Sequence, residues 1–243
     1  MSTWLILGGS SAMARAMARA VAARGENVMV AGRDIDDLAA LATDCGLRGA
    51  PLAEAIAFDA REAGGFAAIR DRCAAADSPL NVAVFVGSMP SQDQIDADPS
   101  LIEDTVKDNF TGPAQLLTLL SPVLEETKGT VVGVGSVAGD RGRIGNYVYG
   151  AAKAGFHTYM SGLRNRLTRA GGHAVTVKPG FVDTAMTWGL DGMFLVAAPD
   201  DVARDILRAV DKRRDVIYTP FFWRYIMLII RSVPEKIFKK LSI

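Results

Sequence analysis

The chain has 243 residues, 49% of them hydrophobic, and its 27 Lys/Arg balance 27 Asp/Glu to a formal net charge of +0 at pH 7. That length suits one large α/β domain, and the balanced charge gives no global reason to expect nucleic acid as a partner. With 2 Cys (Cys45, Cys73) and 2 His (His157, His173), no disulfide framework, metal site or Ser/His/Asp triad is expected.

The opening Met-Ser-Thr-Trp lacks the basic stretch and long apolar run of a signal peptide, so a cytoplasmic chain with two idle thiols is expected. Short apolar runs then alternate with helical stretches. The runs are T-W-L-I-L (3–7), N-V-M-V-A (27–31), A-I-A-F (55–58), N-V-A-V-F-V (81–86), G-T-V-V-G-V-G (129–135), A-V-T-V-K-P (174–179) and D-V-I-Y-T (215–219). Rich in β-branched residues and without strict alternation, they suit strands covered on both faces. Between them, residues 11–24, 35–44, 61–75, 101–126, 146–170 and 200–211 are each long enough for a helix. This repetition predicts an α/β chain with a single-domain Rossmann fold, a doubly wound parallel sheet of about seven strands with helices on both faces. Residues 1–219 read as a dinucleotide-binding domain and 220–243 as a helical tail of the same domain.

Behind the first strand, G-G-S-S-A-M-A-R-A (8–16) has the position of a glycine loop that presents a helix N-terminus to an anion. Gly8 and Gly9 allow the turn, and Ser10 and Ser11 add hydroxyl donors, but Ala12 and Ala14 stand where glycines are expected. A methyl where backbone approaches a pyrophosphate displaces the ligand slightly, whereas one at a helix-packing position is tolerated. Further on, Tyr149 and Lys153 are four apart and share a helix face. An ammonium beside a phenol favours the phenolate and makes it a usable acid/base. Ser136, at the end of the fifth run, can hydrogen-bond a substrate oxygen, while Tyr147 lies around the helix from Lys153.

Taken together, L-G-G-S-S-A-M-A-R, F-D-A (58–60), D-N-F-T-G (108–112), G-S-V-A-G (135–139), Y-G-A-A-K (149–153) and K-P-G-F-V-D-T-A-M (178–186) resemble the short-chain dehydrogenase/reductase family along the whole chain. The resemblance implies an NAD(P)-dependent oxidoreductase acting on ketones and secondary alcohols. It assigns Tyr149 as general acid, Ser136 as orienter of the carbonyl, Lys153 as partner of both tyrosine and nicotinamide ribose, and Asn109 as holder of a proton-relaying water. It also implies cofactor contacts from Gly8, Ser10, Ser11, Ala12, Met13, Arg15, Arg33, Gly87, Tyr149, Lys153, Pro179 and Gly180, with Asp59 and Ala60 at the adenine and Val182 and Thr184 at the carboxamide. The family's N-N-A-G after the fourth strand reads V-F-V-G here, ending at Gly87. A homodimer or homotetramer paired through residues 101–126 and 146–170 follows the same resemblance.

The second run ends in Gly32-Arg33, where NAD-specific relatives carry an acid, so NADP(H) is expected over NAD(H). Asp34 is then free to cap the next helix. The tail, F-F-W-R-Y-I-M-L-I-I-R-S-V-P-E-K-I-F-K-K-L-S-I (221–243), holds no run long enough to span a bilayer. Ser232-Val233-Pro234-Glu235 reads as a capping box starting a short helix, with Ile237, Phe238 and Leu241 on one face and Lys236, Lys239 and Lys240 on the other. Two readings fit: a segment lying in the interface of the cytoplasmic membrane's inner face, or an arm packed on the domain or a second subunit. The tail, with N-Y-V-Y-G-A-A-K-A-G and V-F-V-G, is similar to a branch of the family that partners decaprenylphosphoryl-ribose 2-epimerase and reduces a keto-pentose carried on a polyprenyl phosphate. That resemblance implies a lipid-linked keto-sugar, with Met186, Trp188, Leu190, Met193 and Phe194 at the entrance or in the core. A soluble alcohol dehydrogenase or carbonyl reductase for small molecules and a non-catalytic nucleotide sensor are the rivals.

Overall fold

The computed structural model describes residues 1–188 and 194–241. Its strands are β1 (Thr3–Leu7), β2 (Asn27–Gly32), β3 (Ala53–Ala57), β4 (Leu80–Val84), β5 (Thr130–Val134), β6 (His173–Pro179) and β7 (Val216–Thr219). They form one seven-stranded sheet in the order β3-β2-β1-β4-β5-β6-β7, every neighbouring pair parallel. All seven apolar runs are therefore strands, within two residues at each end. Order reverses between β1 and β4, and a crevice at such a switch point, outside the carboxyl ends of the strands, is where α/β sheets bind ligands.

The helices are α1 (Ala12–Ala22), α2 (Ile35–Leu47), α3 (Phe66–Ala74), α4 (Gln92–Ala97), α5 (Leu101–Val106), α6 (Gly112–Glu126), α7 (Tyr147–Arg169), α8 (Pro199–Asp211), α9 (Trp223–Ser232) and α10 (Glu235–Phe238). The period-two pleat of β1 shows how the two layers arise. Trp4 and Ile6 face a core with Met17 and Val21 of α1, Leu38 of α2 and Ile206 of α8. Leu5 and Leu7 face the opposite core, with Phe66 of α3, Leu116 and Leu120 of α6, and Phe156 and Met160 of α7. Each such fully buried side chain contributes about 1.5–3 kcal/mol.

Three local outcomes differ from the sequence expectations. The helix expected over 101–126 is broken into α5, a π-helical turn at Lys107–Thr111 and α6. Pro113 has no N–H for the carbonyl four residues back, and the amide of Gly112 reaches five back, to Lys107. The helix α4 was not expected, although its capping box is complete: Ser91 Oγ accepts from Gln94 N at 3.2 Å and Gln94 Oε1 from Ser91 N at 2.9 Å. The capping box expected at Ser232 does not form. Ser232 ends α9 and donates to the Leu228 carbonyl at 2.8 Å, and Pro234 precedes α10 without a side-chain cap.

Candidate active site

Ser136 follows β5 in extended conformation (φ −165°) and opens a 3-10 turn, Val137–Asp140, its Oγ accepting from Ala138 N at 3.1 Å. Tyr149 and Lys153 project from the buried face of α7, only 6% and 4% exposed. Ser136 and Tyr149 are near enough for the serine hydroxyl to act on the phenol. Lys153 Nζ donates over long distances, 3.3 Å to the Val134 carbonyl and 3.4 Å to that of Val86. The expected trio is therefore assembled, and Tyr147 is elsewhere, its hydroxyl on Asp96 at 2.9 Å.

Its electrostatics depart from the expectation. Burial raises Tyr149 to about 12, and the Ser136 hydroxyl offsets only part of this. Burial also lowers Lys153 to about 8, against a smaller upward pull from Asp108, and its Nζ lies 5.8 Å from the Tyr149 ring centroid. In the free chain desolvation dominates, so the phenol is harder to ionise, not easier. A testable consequence concerns stability. A lysine that titrates lower folded than unfolded penalises the fold while it is charged, so its contribution improves as pH rises from about 8 toward its ordinary value of 10.5. In thermal melts of the free protein from pH 8 to 10, stability should rise with pH in the wild type relative to Lys153→Met, the opposing pull of the buried thiols Cys45 and Cys73 being common to both; parallel pH profiles would refute it.

Asn109 lies in the π-helical turn, 1% exposed. Its Nδ2 donates to the Ser88 carbonyl at 2.7 Å and the Thr105 carbonyl at 2.9 Å, while its Oδ1 is buried without a partner. A Cβ on Gly87 would stand 2.5 Å from that Oδ1 and 3.3 Å from Lys153 Nζ. Gly87 thus keeps open a small cradle lined by one unpartnered acceptor and one ammonium. The neighbouring Asp108 is held below the usual carboxylate range: burial pushes it up, and Arg61 and Ser88 more than reverse this. Arg61 forks Asp108 at 2.8 and 2.7 Å and also reaches Asp104 at 2.6 Å. Sequence reasoning missed Arg61, whose partners lie more than forty positions along the chain.

At the β1 end, Gly8 has φ +87° and its backbone abuts Phe85 and Val86, where a Cβ would come within 3.0 Å. Ser10 is exposed, Ser11 caps α1 without spending its hydroxyl, and no acid occupies the first helical turn. Ala12 and Met13 are half-buried, whereas Ala14 is fully buried in the core. The alanine at 14 is thus accommodated by helix packing. Arg15 is ion-paired to Asp37. Arg33 is exposed and, among the described residues, makes no ion pair or hydrogen bond, and Asp34 caps α2 through Asp37 N at 3.1 Å. Asp59 accepts from Arg61 N at 2.9 Å and Ala60 is buried. Pro179 and Gly180 close β6; Val182 is 3% exposed and bridges Ala197, and the Thr184 amide donates to Thr187 Oγ1 at 3.3 Å. All of these residues lie at or beyond the carboxyl ends of β1 to β6.

Residues 2–193 match the description "short chain dehydrogenase". The chain belongs to this family. It is an oxidoreductase of the short-chain type, and the sheet order and the assembled Ser-Tyr-Lys trio accord with that. An uncharacterized oxidoreductase of Mycobacterium tuberculosis is 30% identical over 239 residues, covering 98% of this chain and 96% of its own. Among solved structures, a short-chain dehydrogenase from Sphingobium yanoikuyae in complex with NADPH superposes with TM-score 0.82 at 24% identity, covering 97% of each chain. A bulky-bulky ketone specific alcohol dehydrogenase from Comamonas testosteroni reaches TM-score 0.82 at 21% identity, covering 97% of this chain and 96% of its own.

In this short-chain dehydrogenase, α7 carries one more polar residue on the site's face, four beyond Lys153. His157 Nε2 accepts from the Ser136 amide at 3.3 Å, and its Nδ1 stands 3.8 Å from Asp140 Oδ1. It fits because Gly135 and Gly139 lack side chains; a Cβ there would lie 2.1 and 2.7 Å from the imidazole. Burial, then Lys178, lower its pKa to about 3, so it is neutral. Since Nε2 faces a backbone amide, His157 does not serve as a base for the serine hydroxyl. Its partner Asp140 accepts from Lys178 Nζ at 2.5 Å and from the Tyr218 hydroxyl at 2.6 Å. Tyr149 and Lys153 were read from sequence as sharing a helix face, but His157, one turn further on the same face, was missed, as was its link to Ser136. Among the described residues, no cluster of His, Cys, Asp or Glu can hold a metal ion.

The tail does pack on the body. Trp223 and Met227 of α9 are buried beside Val137, with Phe181 and Tyr218 at the margin. Arg141 donates to the carbonyls of Ile230 and Val233, both at 2.6 Å, and its guanidinium lies 3.6 Å from the Phe238 ring centroid. On α10, Phe238 is buried while Ile237 and Leu241 are 54% and 41% exposed, so the three do not share one buried face. Met186 and Trp188 are exposed, and Phe194 packs on Phe181 and Trp223. Leu190 and Met193 lie outside the described residues.

Proposed function

We propose that this short-chain dehydrogenase reduces a ketone to a secondary alcohol with NADP(H) in preference to NAD(H), its substrate being a keto-sugar carried on a lipid phosphate. The grouping of the buried Tyr149 with Ser136, Lys153 and the unpartnered Asn109 Oδ1 carries the reading. When bound, NADPH supplies the hydride. Ser136 orients the carbonyl oxygen and Tyr149 gives it a proton. A phenol pushed up to about 12 stays protonated at neutral pH, which suits a donor to a developing alkoxide. Lys153 Nζ, whose two carbonyl contacts are long, retains donor capacity for ribose hydroxyls. Asn109 Oδ1 offers an acceptor for a proton-relaying water in the Gly87 cradle.

The residues fit a dinucleotide. Gly8 supplies the close turn, Ser11 a free hydroxyl and α1 an N-terminus without acids. The unpaired Arg33 beside Gly32 suits a 2′-phosphate, and Asp34 is committed to its cap. The solved relative with NADPH supports the same choice. Arg33→Ala should lower kcat/KM with NADPH by about 10-fold or more, the scale of a charge-assisted hydrogen bond, with little change for NADH. A native preference for NADH, undiminished in the variant, would end the assignment.

The amphipathic tail and the exposed Trp188 support a substrate presented at a lipid surface, where α9 and α10 rest on the inner membrane face. No helix of the described residues is long and apolar enough to cross a membrane. Self-association runs through α5 to α7. Incubating a crude lipid extract with the enzyme and tritiated NADPH should label a lipid-linked sugar. Label only in small water-soluble alcohols would favour the second reading, a reductase of small ketones, which the packing of Trp223 and Met227 on the body also supports.

A further inference from the structure

A groove lies on the far side of α9 from the catalytic turn, between α9, β7 and the exit of α8. Its walls include Arg208, Lys212 and Arg214 from the body and Arg224 and Arg231 from the tail. Asp205 is its acid, and it is already engaged: its Oδ2 accepts from Thr219 Oγ1 at 2.9 Å, and Arg208 lies 3.7 Å from Oδ1. Lys178, at the groove floor, is held by Asp140. Among the described residues, Lys212, Arg214, Arg224 and Arg231 make no ion pair.

Apolar groups stand on the same walls. Phe221, Tyr225 and Leu228 line the groove and are 73%, 60% and 61% exposed. Their spacing of four and three aligns them along one side of α9 and the turn before it. Opposite them on the helix, Trp223 and Met227 are buried in the body. The helix is thus anchored by one apolar face and displays a second, with Arg224 and Arg231 along one side and Lys212 and Arg214 on the facing wall.

A soluble anion would account for the cations but not for the exposed aromatic and aliphatic groups. A second copy of the chain across a two-fold axis would bring like charges together. We propose that this face docks on an anionic phospholipid surface, the groove cations taking lipid phosphates while Phe221, Tyr225 and Leu228 enter the acyl boundary. The inference deepens the reading of the tail given above. It differs by placing much of the charge on the α8–β7 segment, outside the tail itself. Charge complementarity carries it, and its salt dependence follows from screening.

The test is co-sedimentation of the full chain with phosphatidylcholine vesicles, with and without phosphatidylglycerol, at low and high salt. Binding should require the anionic lipid and fall at high salt. Lys212→Gln with Arg214→Gln should weaken it roughly 30-fold, since each basic residue near an anionic surface contributes a factor of about five to six. Leu228→Ser should weaken binding to the same vesicles, with near-UV circular dichroism reporting that each variant is folded. Equal binding to neutral vesicles, or unchanged binding by the double variant, would overturn the proposal. If instead Lys236→Gln/Lys239→Gln/Lys240→Gln abolishes binding and the double variant keeps it, the tail's membrane contact survives and the groove's role does not. A lipid-free dimer dissociated by Leu228→Ser would likewise overturn it in favour of self-association. Reductase activity on a soluble ketone reads the catalytic proposal separately.

Discussion

Tyr149→Phe should lower kcat for ketone reduction by about 10²–10⁴-fold, the range for loss of a positioned proton donor. The substitution keeps a ring that is only 6% exposed and removes the hydroxyl beside Ser136. NADPH affinity should therefore hold, because no dinucleotide-loop residue is disturbed. Fluorescence titration with NADPH, beside steady-state kinetics on one ketone, separates the two quantities. Turnover within a factor of about ten of the wild type would mean that another group delivers the proton, and the catalytic assignment of the trio would fall with it. Loss of NADPH binding in the same variant would point to a structural role for the phenol instead.

Asp140→Ala carries the largest expected cost in stability. Its carboxylate is 3% exposed and receives both Lys178 Nζ at 2.5 Å and the Tyr218 hydroxyl at 2.6 Å. Removing it leaves a mostly buried ammonium unpaired, a situation that costs about 3–5 kcal/mol. For a chain of this size that corresponds to a fall in Tm of roughly 6–20 °C. Replacing both partners, Asp140→Leu with Lys178→Met, should recover most of the loss, because the uncompensated charge is gone. The single variant should also raise KM for the ketone, since His157, whose Nδ1 stands 3.8 Å from Asp140, accepts from the Ser136 amide. An unchanged melting temperature would show that Lys178 finds water or another acceptor, and that the network is dispensable.

Particular residues show why some features were legible and others were not. The five inner strands were readable because each is buried on both faces and so written as a continuous apolar run, whereas the edge strands β3 and β7 are only half-buried. The break in the helix over 101–126 had a visible cause in Pro113, yet its consequence, a π-helical turn with Asn109 inside it, depends on how the chain repacks around the missing amide. Three stretches match a capping box, at Ser91, Ser100 and Ser232, and only the first forms. Ser91 is itself extended (φ −62°, ψ 154°), as an N-cap requires, whereas Ser232 is the last residue of α9 and spends its hydroxyl on a carbonyl within that helix. Arg15 and Arg33 look alike in sequence, but Asp37 reaches only the former.

The amino-acid order by itself determined the parallel sheet, its doubly wound order and the alignment of Tyr149 with Lys153, since these follow from periodicity and from the chirality of the chain. Tertiary structure alone decided the proton affinities of that pair, because desolvation depends on what surrounds a group in space. It also decided the bond between His157 and Ser136, and the side of α9 that faces water. Those outcomes rest on contacts between segments far apart in the chain, whose distances no local pattern encodes.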